Sequence, residues 1–265
     1  MYYIWKEWKE NLKSKGLWLS FSIIIIISIG ILLKSSTLSF EQGFYVLLLN
    51  LFDALIYFIP ILCLFLGAFS IFQEKEHKTL IMLLTRRDSF VSFLFKKSLA
   101  IHSVTVSPIL VWFFIYLVPA KFYFSIDFKS YLAFLLSLLC IILVFTQIGV
   151  MVGSISRSRM QIVGFSITIW FYFFFLHDFI LLSYLSDVTY ENVKLFSSAY
   201  FINPLQTARL NLESAIGVFS FGHMSKLLQS FMWMKPVVFL VSNLVFWFGS
   251  SLLFAIIFHR KEGSE

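Results

Sequence analysis

The chain has 265 residues and a formal net charge of +7, and it is 59% hydrophobic and 20% aromatic with 34 phenylalanines. Only 13% of it is charged and its mean hydropathy is +0.87, whereas an ordinary soluble domain is nearer half apolar and a quarter charged. No water-soluble fold of this length hides so much Phe and Ile, so the composition excludes a soluble protein and predicts an all-α integral membrane protein, best counted in spans.

Residues 1–16, MYYIWKEWKENLKSKG, read as an interfacial helix. Ile4, Trp5, Trp8 and Leu12 recur at about one or two turns, with Lys6, Lys9, Glu10 and Lys13 between them. Trp sits well at headgroup level and Lys can reach out to water. The alternative is a frayed basic tail. Gly16 then permits a bend.

A span needs about 20 apolar residues, because a helix rises about 1.5 Å per residue across about 30 Å of hydrocarbon. Six runs qualify or nearly so: 17–33, 44–72, 98–120, 131–153, 162–185 and 236–258. The first follows a long segment that mixes Glu with Lys, and no clean small-residue cleavage site follows Lys34, so it is expected to be a span and not a signal peptide. The second run is too long for a simple crossing and holds Asn50, Asp53 and Pro60. Asp53 has two readings, a functional carboxylate at membrane depth or an acid near the outer interface. Pro60 is expected to kink the helix.

Between the second and third runs lies a charged stretch, FQEKEHKTLIMLLTRR. Leu80, Leu83 and Leu84 recur at helical spacing, and Phe90, Phe93 and Leu94 follow. The segment 73–97 is therefore expected to form one or two amphipathic helices at the membrane surface. The fourth run ends in a GxxxG at Gly149 and Gly153, which lets another helix approach closely. The fifth carries His177 and Asp178 in its outer part. That pair reads as a polar rim or as part of a proton or substrate relay. In the external segment 186–235, Asn203 can cap a helix that Pro204 begins. Leu205, Ala208 and Leu212 fall on one face of it, with Arg209 beside them.

Six spans put both ends on one side. Lys6, Lys9, Lys13, Lys15, Lys75, Lys78, Arg86, Arg87, Lys96, Lys97, Arg157, Arg159, Arg260 and Lys261 share that side, twice as many basic residues as lie opposite. The positive-inside rule makes it cytoplasmic. Basic residues confined to membrane-proximal loops point to anionic lipid, not to nucleic acid.

Chemistry-bearing motifs are absent. There is no Walker A pattern, no G-x-S-x-G and no H-E-x-x-H. The five histidines are scattered, and Cys63 and Cys140 stand singly inside apolar runs, where core packing is the ordinary role. No enzyme and no cofactor in this chain are expected. The residues alone leave open a secondary transporter or channel and a non-transporting anchor for an assembly complex.

The charged stretch also resembles the ABC-2 type permease family, the membrane subunits of one class of ABC transporters. Glu74, Glu76, Thr79, Leu80, Leu83 and Leu84 stand in register with that family's pattern, with Lys97 near its later Lys. Lys78, Ile81, Arg87 and Phe90 depart from it. KEWKENLKSKGLW resembles the family's N-terminal elbow helix. The region GVMVGSISRSRMQIVGFSITIWFYFFFLHDFILL and NPLQTARL are similar to the permease that serves nitrous oxide reductase maturation, with Gln206 where that subgroup has an acid. The resemblance implies a six-span permease with an elbow helix and a cytoplasmic coupling helix, multi-pass in the cell membrane. It implies a second permease subunit as partner, and cytoplasmic ATPase subunits that bind ATP and Mg. An extracytoplasmic accessory protein is a further implied partner. Coupling would rest on Leu80, Leu83 and Leu84 as a buried anchor, with Glu74, Glu76, Arg86 and Arg87 as orienting charges and Thr79 beside them. Asp53, His177 and Asp178 are the candidate residues of the path.

Overall fold

The computed structural model describes residues 5, 8–10, 13–40, 43–76, 89–217 and 230–262. Ile4, Leu12, Thr79, Leu80, Leu83, Leu84, Arg86 and Arg87 lie outside the described residues. Among those described the protein is helical, with no strand.

Six helices are long and apolar enough to cross a membrane. They are α1 (Lys15–Ser35), α2 (Gly43–Glu76), α3 (Phe90–Tyr123), α4 (Phe128–Ile155), a fifth span formed by α5 (Arg159–Phe171) together with α6 (His177–Ser183), and α9 (Pro236–Glu262). A π-helical segment, Tyr172–Leu176, joins α5 to α6. Between the fifth span and α9 lie α7 (Val193–Tyr200) and α8 (Pro204–Ile216).

Local signals account for the helix ends. Ser89, Asp127 and Ser158 each cap the helix that follows by accepting from backbone N–H groups of its first turn. α8 begins with Pro204 after Asn203, whose side chain accepts from Leu205 N–H, and it ends at Gly217 with φ of +84°. That left-handed conformation suits glycine because it has no Cβ to collide with the backbone. Because Ser89 caps it, α3 begins at Phe90, ahead of the apolar run that starts at Ser98. Pro60 is contained within the single helix α2.

The centre of the bundle is α4. Its most apolar stretch is 72% buried, against 17% for the fifth span. It packs against α2, α3, α5, α8 and α9. Glycine makes the α2–α4 approach possible. A Cβ on Gly149 would come within 2.5 Å of the Leu64 carbonyl oxygen, and one on Gly67 within 2.5 Å of the Thr146 carbonyl oxygen. A Cβ on Gly153 would collide with the Ala68 backbone. Backbone meets backbone here, so there is no flexible side chain to give way. Gly149→Ala is expected to cost about 1–3 kcal/mol through overpacking. Thermal unfolding in detergent checks this, and an unchanged melting temperature would mean the two helices are free to separate.

Toward one end of the bundle the core is aromatic. Phe113, Tyr116, Phe134 and Tyr131 are fully buried, Phe113 meeting Tyr116 and Phe134 edge-on while Tyr131 stacks on Phe134. The two buried phenols find backbone acceptors, Tyr116 at the Ser28 carbonyl of α1 and Tyr131 at the Phe113 carbonyl of α3. Such pairing is what makes a phenol tolerable away from water. At the other end Trp8, in the described helical turn Trp8–Glu10, donates from Nε1 to Ser103 Oγ of α3 at 3.3 Å.

Candidate functional site

Charged side chains gather at two levels of α2, at Asp53 about three turns in from its start and at its C-terminal end. Asp53 and Glu74 are separated along that helix by about 31 Å at 1.5 Å per residue, which matches the ~30 Å of a hydrocarbon core.

At the basic end, three consecutive residues of α2 reach three different elements. Glu74 pairs with Lys97 of α3 at 3.0 Å, and both are buried, at 7% and 2% exposure. Lys75 donates to the Ser154 carbonyl near the end of α4, and its Nζ lies 3.5 Å from the Ser156 carbonyl. Cations are favoured at a helix C-terminus, where carbonyls are left without helical partners. Glu76 accepts two hydrogen bonds from one nitrogen of Arg159, at 2.9 and 2.8 Å, at the start of α5. Ser98 donates to Gln147 of α4 one residue beyond Lys97. The chain leaves the end of α2 and re-enters α3 through residues 77–88, so α3, α4 and α5 are all tied to the base of that segment. Of the sequence-predicted coupling residues, Glu74 and Glu76 are part of this arrangement.

At the opposite end, α8 brings together residues that are far apart in sequence. Arg209 pairs with Asp53 of α2 at 2.6 Å, with side chains 40% and 53% exposed. Gln206 donates to Asp178 of α6 at 2.6 Å and accepts from the Tyr200 hydroxyl at 2.9 Å. His177 and Asp178 do face each other, Nδ1 to Oδ1 at 3.1 Å, although neighbouring positions on a regular helix point apart. They follow directly on the π segment, where the helix is wound differently. His177 Nε2 lies 3.1 Å from the Ala199 carbonyl, which can only accept, so this nitrogen carries the proton. His177 Nδ1 then stands between Asp178 and the Asn203 amide, 3.3 Å away.

Asn203 joins the pieces. It is fully buried, caps α8, and donates to the Phe173 carbonyl of the π segment at 2.8 Å. Asn203→Ala removes both a cap and a buried partner, with an expected cost of about 2 kcal/mol. A thermal melt in detergent reads this directly, and a loss under half a kcal/mol would show that water replaces the amide.

Glu213, one turn beyond Arg209, titrates above an ordinary glutamate. Burial is the main cause, Arg209 opposes it and Asp53 adds to it. Burial acts to lower the Arg209 pKa, but Asp53 and Glu213 outweigh that and hold it above the usual arginine value. Burial, reinforced by Asp178, pushes the Tyr200 hydroxyl up to about 12, so it remains a donor. The sequence reading did not single out Tyr200 or Glu213. The spacing of Arg209 and Glu213, four apart on one helix, was the available signal for the latter. Nothing local marked Tyr200. Gly149 and Gly153 lie on the α2–α4 contact, Gly153 directly before Ser154, whose carbonyl receives Lys75. Among the described residues no group of three His, Cys, Asp or Glu side chains is placed to hold a metal ion.

Six membrane-length helices, two of them packed backbone to backbone through glycines, with clusters of charged side chains at two levels, define a multi-pass membrane protein. The family model described as ABC-2 family transporter protein matches residues 1–262, and the chain belongs to that family. It is a membrane component of an ABC transporter, a class whose membrane subunits work with an ABC ATPase. No curated protein matched the chain.

Proposed function

We propose that the chain is one permease half of an ATP-driven exporter, paired with a second copy or a related chain and driven by separate cytoplasmic ATPase subunits. The ATPase docks on residues 77–88, with Leu80, Leu83 and Leu84 as the packed anchor and Arg86 and Arg87 as orienting charges. Glu74 and Glu76 secure the base of that segment. The observation that carries this reading is the run Glu74, Lys75, Glu76, each bonded to a different helix. A push on the segment between α2 and α3 is therefore passed to α3, α4 and α5 together, as rigid-body switching requires.

In this reading both termini and the basic end face the cytoplasm of a cell-membrane protein, and Asp53, His177 and Asp178 lie at the outer mouth of the path. Gln206 accepts from Tyr200 and donates to Asp178. An acid at that position, as in the nitrous oxide reductase maturation subgroup, would repel Asp178. This favours a cargo other than that subgroup's.

Leu83→Asp, and separately Arg86→Glu with Arg87→Glu, are expected to abolish transport and co-purification of the ATPase while the protein still inserts. Transport and ATPase retention at wild-type levels in both variants would overturn the assignment.

A further inference from the structure

Beside the outer cluster lies a cavity of about 660 Å³, framed by the π segment, α6, the turn after it and α7. Its walls are apolar, with Phe175, Phe179, Leu182 and Phe196 among them, and the polar side chains in its lining are Asp178 and Tyr200. A second cavity of about 120 Å³ shares Phe174 and Asp178 with the first and adds Tyr57, Gln206 and Arg209. One space is large and greasy, the other small and polar, and the Asp178 carboxylate lines both. Sites of this size, apolar with a few convergent polar groups, are the usual form of small-molecule sites.

The charge of the smaller space selects its ligand. The charged side chains in its lining are Asp178 and Arg209, and the Arg209 guanidinium is already taken by Asp53, outside the lining, at 2.6 Å, which leaves the Asp178 carboxylate to face the space. His177 offsets Asp178 only when doubly protonated. When neutral, its Nδ1 accepts from Asn203, and Gln206 is then the donor to Asp178 among the described residues. The walls favour a cation as well. Tyr57 and Phe174, both in the lining of the smaller space, stack at 5.1 Å. Aromatic faces attract ammonium groups.

We propose that the joined cavities form an outward-facing binding site for a membrane-dissolved amphiphile with a cationic head. The ammonium lies against Asp178 and the Tyr57–Phe174 rings, and the hydrocarbon chain fills the larger cavity. As a statement about cargo this rests on the permease reading. As a statement about binding it does not, so the test measures binding to this chain alone.

The test uses the purified full chain in alkyl maltoside and equilibrium binding of radiolabelled dodecyltrimethylammonium, with radiolabelled dodecanoate at the same chain length. The expected result is saturable binding of the cation at least tenfold tighter than of the anion. Asp178→Asn is expected to weaken the cation tenfold or more, and Leu182→Trp, which fills the larger cavity, to weaken both probes. If Asp178→Asn does not yield folded protein, the head-charge preference of the natural chain and the Leu182→Trp result still decide. Equal retention of the two probes, or unchanged binding in Leu182→Trp, would overturn the proposal. That negative result would leave ATPase coupling untouched, while wild-type transport and ATPase retention in Leu83→Asp and in Arg86→Glu with Arg87→Glu would overturn the permease reading and leave the binding site untouched.

Discussion

Glu74→Ala is expected to destabilise the folded protein by about 3–5 kcal/mol, the usual cost of removing one partner from a buried ion pair. Lys97 is 2% exposed and its ammonium lies 3.0 Å from the Glu74 carboxylate. In the variant that ammonium stays out of water and loses the opposite charge beside it. The pair is not needed for stability as such, because ion pairs of this kind can often be replaced by packed apolar groups at no loss. Glu74→Met with Lys97→Met is therefore expected to recover most of the melting temperature. Transport should not recover with it, because the ion pair that ties the end of α2 to α3 is gone. The measurement is a thermal melt beside a transport assay for the natural chain and both variants. Full transport by the double variant would show that Glu74 and Lys97 serve only to hold the helices together.

Arg209→Glu is the second large effect, about 3 kcal/mol at neutral pH. It loses a charge-assisted hydrogen bond worth about 1.5–3 kcal/mol and sets a fourth carboxylate beside Asp53, Asp178 and Glu213. Like charges about 4 Å apart oppose each other by about 4 kcal/mol at an effective dielectric of 20. The half-exposed side chains of Asp53 and Arg209 reduce the sum. The loss should depend on pH. Glu213 already titrates above its ordinary value, mainly through burial, and Arg209 is what holds it down. A carboxyl raised in the folded state stabilises fully below its unfolded pKa, about 4.3, and that contribution disappears as pH rises through the folded value. Without Arg209 the folded value moves higher, so the variant should regain stability between pH 8 and pH 5, where the natural chain changes less. Glu213→Gln in the Arg209→Glu background should flatten the recovery. Asp53→Arg with Arg209→Glu, which swaps the pair, should restore the melt at pH 8. A deficit equal at pH 5 and pH 8 would show that the fault lies in packing and not in charge.

Much of the architecture was legible before any coordinates. The six spans follow from runs of Ile, Leu, Val and Phe, because hydropathy is a local property that a bilayer reads along about 20 residues at a time. The start of α8 was legible too, since Asn203 and Pro204 act within one turn. The extent of α3 was less so. Its apolar run starts at Ser98, whereas the helix starts at Phe90, and Lys97 is accommodated within it through Glu74 on α2. Composition alone cannot place a lysine in a buried position, because the pairing charge lies on another helix.

The chain by itself determined that this is a six-span membrane protein with a charge-rich side, and that its charged stretch lies between the second and third spans. The tertiary structure alone decided which polar residues meet. Asp53 and Arg209 are 156 positions apart, Gln206 and Asp178 are 28 apart, and Lys75 and the Ser154 carbonyl are 79 apart. No periodicity links such residues. They come together because α8 docks beside α4 and α2, and because glycines at 67, 149 and 153 let the backbones of α2 and α4 approach closely enough to position everything around them. Hydropathy places each helix in the membrane, but it is the same for every lipid-soluble face, and only packing between specific surfaces chooses the neighbours.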